Sequence, residues 1–235
     1  MELEKALRVT KELLQDQSAI ISDLSAEAQE EILEALNSIR RNVTPPASNM
    51  LKMKWSKKAS ENAKKWVSQC RFRNSPQEAR TTSDFACGES LAQIKIAMSW
   101  SKVIATWIST KTYFKYGIGP TDPKKNIYTY TQIVWYNSHM VGCALAYCPQ
   151  NTFSFMYACH FCPGGNNQEK ITTPYKEGPS CADCPQHCED KLCTNPCKYT
   201  NKHYACEAMH KTFKCDESFM YDLCQATCEC STDIV

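Results

Sequence analysis

Residues 140–162, MVGCALAYCPQNTFSFMYACHFC, decide the fold class of this chain. Met140 to Cys148 and Phe153 to Cys162 are short segments rich in residues that favour strands, and Pro149 with its neighbours separates them. The pattern predicts two consecutive β-strands. Tyr130 to Trp135, just upstream, has the same character and is predicted to be a strand as well.

The chain before these strands has the spacing of amphipathic helices, with apolar residues three or four positions apart. Ser25 and Ser56 are candidate N-caps for the first two helices, and Thr44-Pro45-Pro46 ends the first. Helices followed by strands predict an α+β domain in which helices pack on an antiparallel sheet. The apolar positions are Ile32, Leu36, Ile39 and Val43, then Ala59, Ala63, Trp66 and Cys70, then Trp100, Val103, Ile104, Trp107 and Phe114.

The sixteen cysteines are distributed unevenly, with six in residues 1–162 and ten in residues 181–230. Ten cysteines in so short a segment leave little room for an apolar core, so disulfides must stabilise it. Disulfides persist in oxidising compartments, and the chain is therefore expected to be secreted and extracellular. The N-terminus, Met1 to Lys5, has no apolar signal core, so the signal peptide is expected to be absent from the given chain.

The charge of the chain is nearly balanced, with 27 Lys and Arg against 25 Asp and Glu. This balance excludes a typical nucleic-acid-binding protein, which carries a strong basic excess. No apolar run is long enough to span a membrane. Residues 181–235 are acidic, with five lysines and nine carboxylates, and residues 1–180 are basic. Residues 164–180, rich in Gly, Pro, Asn and Thr, are predicted to link the two parts.

Several motifs resemble those of the cysteine-rich secretory proteins, a branch of the CAP superfamily. Glu189-Asp190-Lys191-Leu192-Cys193 is similar to the mammalian epididymal, sperm-associated members. The resemblance covers about residues 28–235, and it implies an α-β-α sandwich followed by a small, disulfide-rich helical module. The motifs are Pro45 to Trp55, Cys87-Gly88-Glu89, Phe114 to Gly117, Tyr130 to Trp135, Cys159 to Asn166 and Leu192 to Cys197.

The resemblance also implies the domain bounds and the disulfides. It gives an N-terminal extension at 1–24, a CAP domain at 25–166, a linker at 167–180, a disulfide hinge at 181–196 and a module at 197–235 that resembles sea-anemone potassium-channel toxins. Spacing alone leaves fifteen ways of pairing six cysteines. The pairs that the resemblance implies are Cys70–Cys148, Cys87–Cys162, Cys143–Cys159, Cys181–Cys188, Cys184–Cys193, Cys197–Cys230, Cys206–Cys224 and Cys215–Cys228.

The family that this chain resembles has a metal site of two His and two Glu, a set suited to Zn²⁺. At the corresponding positions the chain has Leu36, Glu89, Thr110 and Thr129, so only the glutamate is kept. We therefore predict no metal in this site and no cofactor. A separate four-cysteine zinc site at Cys159, Cys162, Cys181 and Cys184 fits the spacing rule, but disulfides are the better interpretation in a chain with so many cysteines.

Catalysis is not expected of this chain. It has no G-x-S-x-G motif, and cysteines in disulfides cannot act as thiolates. None of the five histidines has the i, i+4 pairing of a helical metal site, and each is interpreted as a surface or packing residue. Glu89 is interpreted as a cleft carboxylate bonded to backbone or to a hydroxyl.

The second module offers aromatic side chains for binding at Tyr199, Tyr204, Phe213 and Phe219. Toxins of this type usually block a cation pore with a lysine beside an aromatic residue. The acidic charge of the module argues against such a plug, because a channel mouth is itself anionic.

The predicted function is a secreted, non-enzymatic binding protein that associates with sperm and regulates gamete interaction or an ion channel. Its expected partners are cell-surface proteins of sperm or egg, or a cation channel. The alternatives are a venom or salivary ion-channel inhibitor, and a CAP-fold hydrolase or lipid carrier. Asn42 lies in the sequon Asn42-Val43-Thr44 and is the candidate glycosylation site.

Overall fold

The structure is a computed structural model that describes residues 20, 21 and 23–235. Most of the predicted N-terminal extension, residues 1–24, therefore lies outside the described residues. Among those that are described, no helix combines the length and apolar character needed to cross a membrane.

A mixed β-sheet forms the centre of the first domain. The strands of this domain are β1 (Ile20–Ile21), β2 (Lys54–Trp55), β3 (Gly88–Ile94), β4 (Phe114–Lys115), β5 (Gly119–Pro120), β6 (Met140–Tyr147) and β7 (Phe155–Cys162). The strand order in the sheet is β1-β6-β7-β3, with β2 added in parallel to β6. The long strands β3, β6 and β7 are antiparallel neighbours, as the fold-class prediction requires.

Two of the predicted helices begin at their predicted caps. The Ser25 hydroxyl accepts a hydrogen bond from the Ala28 N–H at 3.3 Å, and the Ser56 hydroxyl accepts one from the Ala59 N–H at 3.2 Å. Each cap satisfies a backbone donor that the first helical turn leaves without a partner. The helices of the first domain are α1 (Ala26–Arg41), α2 (Lys57–Val67), α3 (Trp100–Ile108) and α4 (Tyr128–Ile133).

Helices cover both faces of the sheet, which gives the α-β-α sandwich. Helix α2 packs on one face, where Ala63 and Trp66 contact the small residues Ala144 and Ala158. Gly142 belongs to this contact, because a Cβ there would overlap the α2 backbone. Helices α1, α3 and α4 share the larger core on the other face.

The prediction of a strand over Tyr130 to Trp135 is wrong, because Tyr128–Ile133 forms helix α4. Tyr130 and Ile133 are both buried in the main core, and their spacing of three places them on one side of a helical turn. A short apolar run fits a buried strand and a buried helical turn equally well, so periodicity could not separate them.

Eight disulfides join all sixteen cysteines, and no free cysteine remains. Each bridge joins the same two residues that the family resemblance implies. The bridges are Cys70–Cys148, Cys87–Cys162, Cys143–Cys159, Cys181–Cys188, Cys184–Cys193, Cys197–Cys230, Cys206–Cys224 and Cys215–Cys228.

The C-terminal part, residues 181–235, is built from very short elements held by five of these bridges. Its small core contains Cys206, Met220 and Cys224, and it would be too small to hold a fold without covalent links. Its elements are β8 (Cys188–Glu189), β9 (Leu192–Cys193), α5 (Cys206–Met209), α6 (Ser218–Leu223) and α7 (Gln225–Glu229).

The segment predicted as a linker, residues 167–180, is packed against the first domain along its second half. The Pro174 carbonyl accepts from the Tyr136 N–H and the Lys176 carbonyl accepts from the Ser48 N–H, both at 2.9 Å. Between them the Tyr175 side chain is buried. These bonds bring residue 181 onto the surface of the CAP-like sandwich rather than leaving it on a free tether.

Arg40, at the end of α1, organises the surface on which the C-terminal part rests. Its guanidinium is buried and donates to the carbonyls of Leu51, Ile133, Trp135 and Tyr136. Two of these carbonyls belong to residues in contact with the C-terminal part, because Leu51 and Tyr136 join its apolar cluster. That cluster contains Leu51, Cys181, Cys184, Cys193 and Ile234, with Tyr136 packed against it.

Candidate functional site

A cleft of about 640 Å³ opens at the N-terminal end of β3. Its walls are the loop that contains Asn74, the start of β3, helix α4 and the residues that follow β7. Glu89 and Thr129, two of the four positions that the resemblance assigns to the metal site, both line it.

Glu89 is the buried acid of this cleft. One carboxylate oxygen lies 3.0 Å from Nε2 of His160, and both side chains are fully buried. The other oxygen accepts the Ser75 N–H at 2.8 Å. Burial by itself raises the pKa of the Glu89 carboxyl, but the hydrogen bonds from His160 and Ser75 outweigh it, and the net pKa is below the ordinary value.

Sequence reasoning missed His160, which it interpreted as a surface or packing residue. In the structure Glu89 of β3 is the direct cross-strand partner of His160 of β7, so their side chains lie on the same face of the sheet. The signal was present in the implied Cys87–Cys162 bridge. In an antiparallel pair that opposes residues 87 and 162, residue 89 must oppose residue 160.

Leu36 stands at the position that the resemblance assigns to the first histidine of the metal site. It is fully buried in the main apolar core and does not line the cleft that holds Glu89 and Thr129. Its place in the apolar stripe of α1 agrees with this core position. Asn74 is one of the residues that line the cleft from the loop before β3.

Thr110 lies outside the cleft lining as well and has a structural role. Its hydroxyl donates to the Trp107 carbonyl at 3.1 Å and accepts the Tyr130 N–H at 3.2 Å, which joins the end of α3 to α4. Of the four family positions, the cleft lining therefore keeps Glu89 and Thr129. One carboxylate, already bonded to His160, among amides and hydroxyls does not fit the imidazole and carboxylate set that zinc requires.

We expect zinc titration of the intact protein to show no micromolar binding at the cleft, because no imidazole lines it and Glu89 is bonded to His160 and Ser75. The double substitution Asn74→His with Thr129→His puts two imidazoles in the cleft wall and should raise the zinc affinity above that of the wild type. Isothermal titration calorimetry measures both.

The matched control is Leu36→His with Thr129→His, which adds the same two side chains but places one of them in the core. It should bind no more zinc than Thr129→His alone. Tight binding by the wild type that Glu89→Ala abolishes would contradict this description of the cleft, and so would equal affinity in the two double variants.

The cysteine-based zinc site does not exist in this structure. Cys159, Cys162, Cys181 and Cys184 each form a disulfide with another partner, so none offers a thiolate. The sulfurs of Cys181, Cys184 and Cys193 do lie close together, and their disulfide bonds account for the cluster.

The predicted aromatic binding residues lie on the second module, and three of the four are exposed. Phe213 and Phe219 form an edge-to-face pair with ring centroids 5.2 Å apart, and each is 39% exposed. Tyr204 is 53% exposed and stacks on the His203 ring. Tyr199 is half-buried under the ammonium of Lys198. Sequence reasoning omitted one exposed aromatic, Tyr221.

Four of the nine acidic residues in 181–235 form ion pairs with the first 180 residues, within 3.2 Å. Five carboxylates remain, as many as the five lysines of this part of the chain. The excess acidity of this part is therefore paired with basic residues of the first 180, and the unpaired charges that remain are balanced. The pairs are Arg41–Asp190, Lys52–Glu189, Lys170–Glu207 and Lys176–Asp183.

Asn42, the candidate glycosylation site, is exposed at the C-terminal end of α1. Its side-chain amide donates to the Ser38 carbonyl at 2.8 Å, while the following Val43 is buried. The asparagine is thus on the outer surface, where a glycan meets solvent.

Comparison with protein families identifies both parts of the chain. The model of the Cysteine-rich secretory protein family, CAP, matches residues 33–161, and the Crisp model matches residues 181–235. The human protein "Cysteine-rich secretory protein 3" is 43% identical over 209 residues, which cover 88% of this chain and 85% of the relative.

Solved structures share the fold at low identity. Na-ASP-1 matches with a TM-score of 0.62 and 22% identity over 74% of this chain and 48% of its own. NaASP2, solved with Zn²⁺, matches with a TM-score of 0.58 and 22% identity over 73% of this chain and 97% of its own. Venom allergen-like protein 4 of Schistosoma mansoni matches with a TM-score of 0.55 and 21% identity, over 68% of this chain and all of its own.

Proposed function

Because the chain belongs to the cysteine-rich secretory protein family, we propose that it is a secreted, non-enzymatic protein that binds a cell surface, associates with sperm and regulates gamete interaction or an ion channel. The sequence match to a human cysteine-rich secretory protein and the eight disulfides support secretion. The similarity of Glu189 to Cys193 to mammalian epididymal members supports a role in the reproductive tract.

The observation that carries the binding proposal is the exposed pair Phe213 and Phe219 on the second module. When a partner covers these two edge-to-face rings, apolar surface is removed from water. Because the rings already pack against each other, little side-chain entropy is lost on binding. Aromatic side chains of this kind provide much of the energy of protein interfaces.

The proposal of no catalysis rests on the groups that line the cleft. The only carboxylate there, Glu89, has both oxygens bonded to Ser75 and His160, and no cysteine is free to act as a nucleophile. Of the histidines, His160 is completely buried beneath Glu89. An activated nucleophile beside a general base, the arrangement that hydrolysis needs, is missing from the lining of the cleft.

Current recording from sperm tests the channel hypothesis. The whole protein, added to the bath, should reduce a calcium or potassium current, and Phe213→Ala with Phe219→Ala should weaken this effect about tenfold. Phe153→Ala, which removes a still more exposed aromatic from the first domain, is the matched control and should leave the effect on the current unchanged.

The same recording separates the proposal from a lysine plug of the toxin type. If the partner is a pore blocked by an ammonium group, Lys202→Ala or Lys214→Ala will abolish the effect and the aromatic substitutions will not. If the wild-type protein does not change the current, the channel hypothesis is wrong. Binding at the sperm surface is then tested separately.

The second candidate function is a venom or salivary ion-channel inhibitor, which the same family fold supports. It predicts block of channels from prey or host tissue and no specific binding to sperm. Comparing binding to sperm with binding to neuronal and muscle membranes separates the two candidates.

A further inference from the structure

The cleft beside β3 is lined by polar side chains and aromatic rings that the four metal-site positions do not account for. Three exposed or half-exposed polar side chains that line it have groups that make no hydrogen bond with the described residues. They are the amide of Asn74, the NH₂ group of Asn126 and the hydroxyl of Thr129.

The charged side chains inside this cleft are bonded to the protein. Arg80 donates to the carbonyls of Ser75 and Cys87 and to the Gln77 side chain. Arg73 is exposed at the rim, where its guanidinium lies over the Trp66 ring at 5.8 Å from the ring centroid. Because Glu89 is bonded as described above, the free groups inside the rim are amides and hydroxyls, which both donate and accept hydrogen bonds but carry no charge.

Two exposed aromatic rings border the same cleft. Phe72 is 56% exposed and Tyr128 is 46% exposed, and both belong to its lining. A flat apolar ring next to uncharged donors and acceptors matches a molecule with one apolar face and a ring of hydroxyls. Pyranose sugars have this construction, with C–H groups on a face and hydroxyls around the edge.

An extended peptide is the other ligand that amide side chains suit, and the structure disfavours it. A peptide in such a cleft would add to the free edge of β3 through backbone hydrogen bonds. Two carbonyls along that edge are already used, since Cys87 accepts from Arg80 and Gln77, and Leu91 accepts from the Trp107 indole at 3.0 Å.

We propose that this cleft, lined by Asn74, Asn126 and Thr129 and bordered by Phe72 and Tyr128, binds an uncharged oligosaccharide. Its amides and the Thr129 hydroxyl bond the sugar hydroxyls, and the two rings cover the apolar faces of the sugar. The cleft and the aromatic pair of the second module are separate sites, so this proposal stands or falls independently of the function proposed above.

The test is an array of immobilised oligosaccharides, neutral, sialylated and sulfated, probed with the whole fluorescently labelled protein. We expect retention on neutral oligosaccharides, and titration calorimetry with the free form of the best one should give a saturable isotherm. Tyr128→Ala, and Asn74→Ala with Thr129→Val, should each weaken binding about tenfold. These residues are partly or fully exposed, and circular dichroism confirms that the variants fold.

Tyr147→Ala is the matched control, because Tyr147 is an exposed tyrosine at the opposite end of the β6–β7 pair. It should bind like the wild type. The proposal is overturned if no neutral oligosaccharide is retained above the level of Tyr128→Ala, or if the cleft variants bind as tightly as the control. Preference for sulfated or sialylated sugars, or for peptides from a neutral nonapeptide library run in parallel, would overturn it as well.

Discussion

Replacing Arg40 with alanine is expected to lower the free energy of unfolding by about 3–5 kcal/mol, the largest loss among the substitutions considered. The buried guanidinium bonds four backbone carbonyls, and alanine would leave these acceptors buried with no protein donor. It would also leave a cavity between α1 and the segments that contain Leu51 and Tyr136. Urea denaturation at neutral pH with the disulfides intact measures the change.

Arg41→Ala is the matched control, because the next residue of the same helix makes ion pairs instead of backbone contacts. Its partners Glu34 and Asp190 are largely exposed, so solvent screens these pairs and their loss should cost less than about 1 kcal/mol. If Arg40→Ala and Arg41→Ala reduced stability equally, the assigned role of Arg40 would be incorrect.

The Arg40 variant should also expose the contact between the two parts of the chain. Leu51 and Tyr136, whose carbonyls Arg40 fixes, pack against the cluster formed by Cys181, Cys184, Cys193 and Ile234. Amide hydrogen exchange should therefore quicken around residues 49–53 and 134–138 and also in 192–197, although the last segment makes no contact with the Arg40 side chain.

Glu89→Gln should destabilise the protein by about 3 kcal/mol at neutral pH, because it removes one partner of a fully buried carboxylate–imidazole pair. Glutamine keeps the size of the side chain and an acceptor for the Ser75 N–H, so the loss reflects the charge on the carboxylate. Denaturation of the two proteins over a range of pH measures how this difference changes.

The pH dependence follows from the lowered pKa of Glu89. A carboxyl whose pKa is lower in the folded protein than its ordinary value of 4.5 stabilises the fold fully above that value. This contribution is lost as the pH falls below 4.5 and through the folded pKa. The stability of the wild type should therefore approach that of Glu89→Gln in acid.

Glu31→Gln is the control for the pH experiment. The Glu31 carboxylate also accepts a backbone N–H, from Ser101 at 2.9 Å, but it does so at the surface. Its substitution should change stability by less than about 1 kcal/mol at any pH above 3. A constant difference between wild type and Glu89→Gln from neutral to acid pH would show that the carboxylate charge has no role in the pair.

Much of the fold could be predicted from the sequence because strong local signals determine it. Ser25 and Ser56 cap helices α1 and α2, and the apolar spacing that follows each one places its buried face correctly. The strand predictions at Met140 and Phe153 succeeded because those segments are bounded by turn residues. Tyr130 to Trp135 failed because six residues are too few for their period to be recognised.

The candidate site was harder to predict because its residues meet only through the tertiary fold. Asn74 comes from a loop, Glu89 from β3 and Thr129 from α4, and no sequence pattern links them. The resemblance places Leu36 at a site position, while the apolar stripe of α1 indicates the core position that it occupies. His160 could have been found from the strand register, as described above.

The charge of the second module shows a further limit of sequence reasoning. Net charge counts every carboxylate as unpaired, yet four of them form ion pairs with basic residues of the first 180. They are Asp183, Glu189, Asp190 and Glu207. The division of charge between the two parts therefore describes their contact with each other. It gives no reason to expect electrostatic attraction or repulsion toward an outside partner.

The central claim is that exposed aromatic side chains of the second module, and not its charges, contact the cell surface. The most direct test is the dissociation constant of the whole labelled protein on intact sperm at about 50 mM and about 300 mM salt. The account predicts that this change of salt alters the constant less than about threefold, while Phe213→Ala with Phe219→Ala raises it more than about tenfold. Binding that is lost in high salt and unaffected by the aromatic substitutions would contradict it.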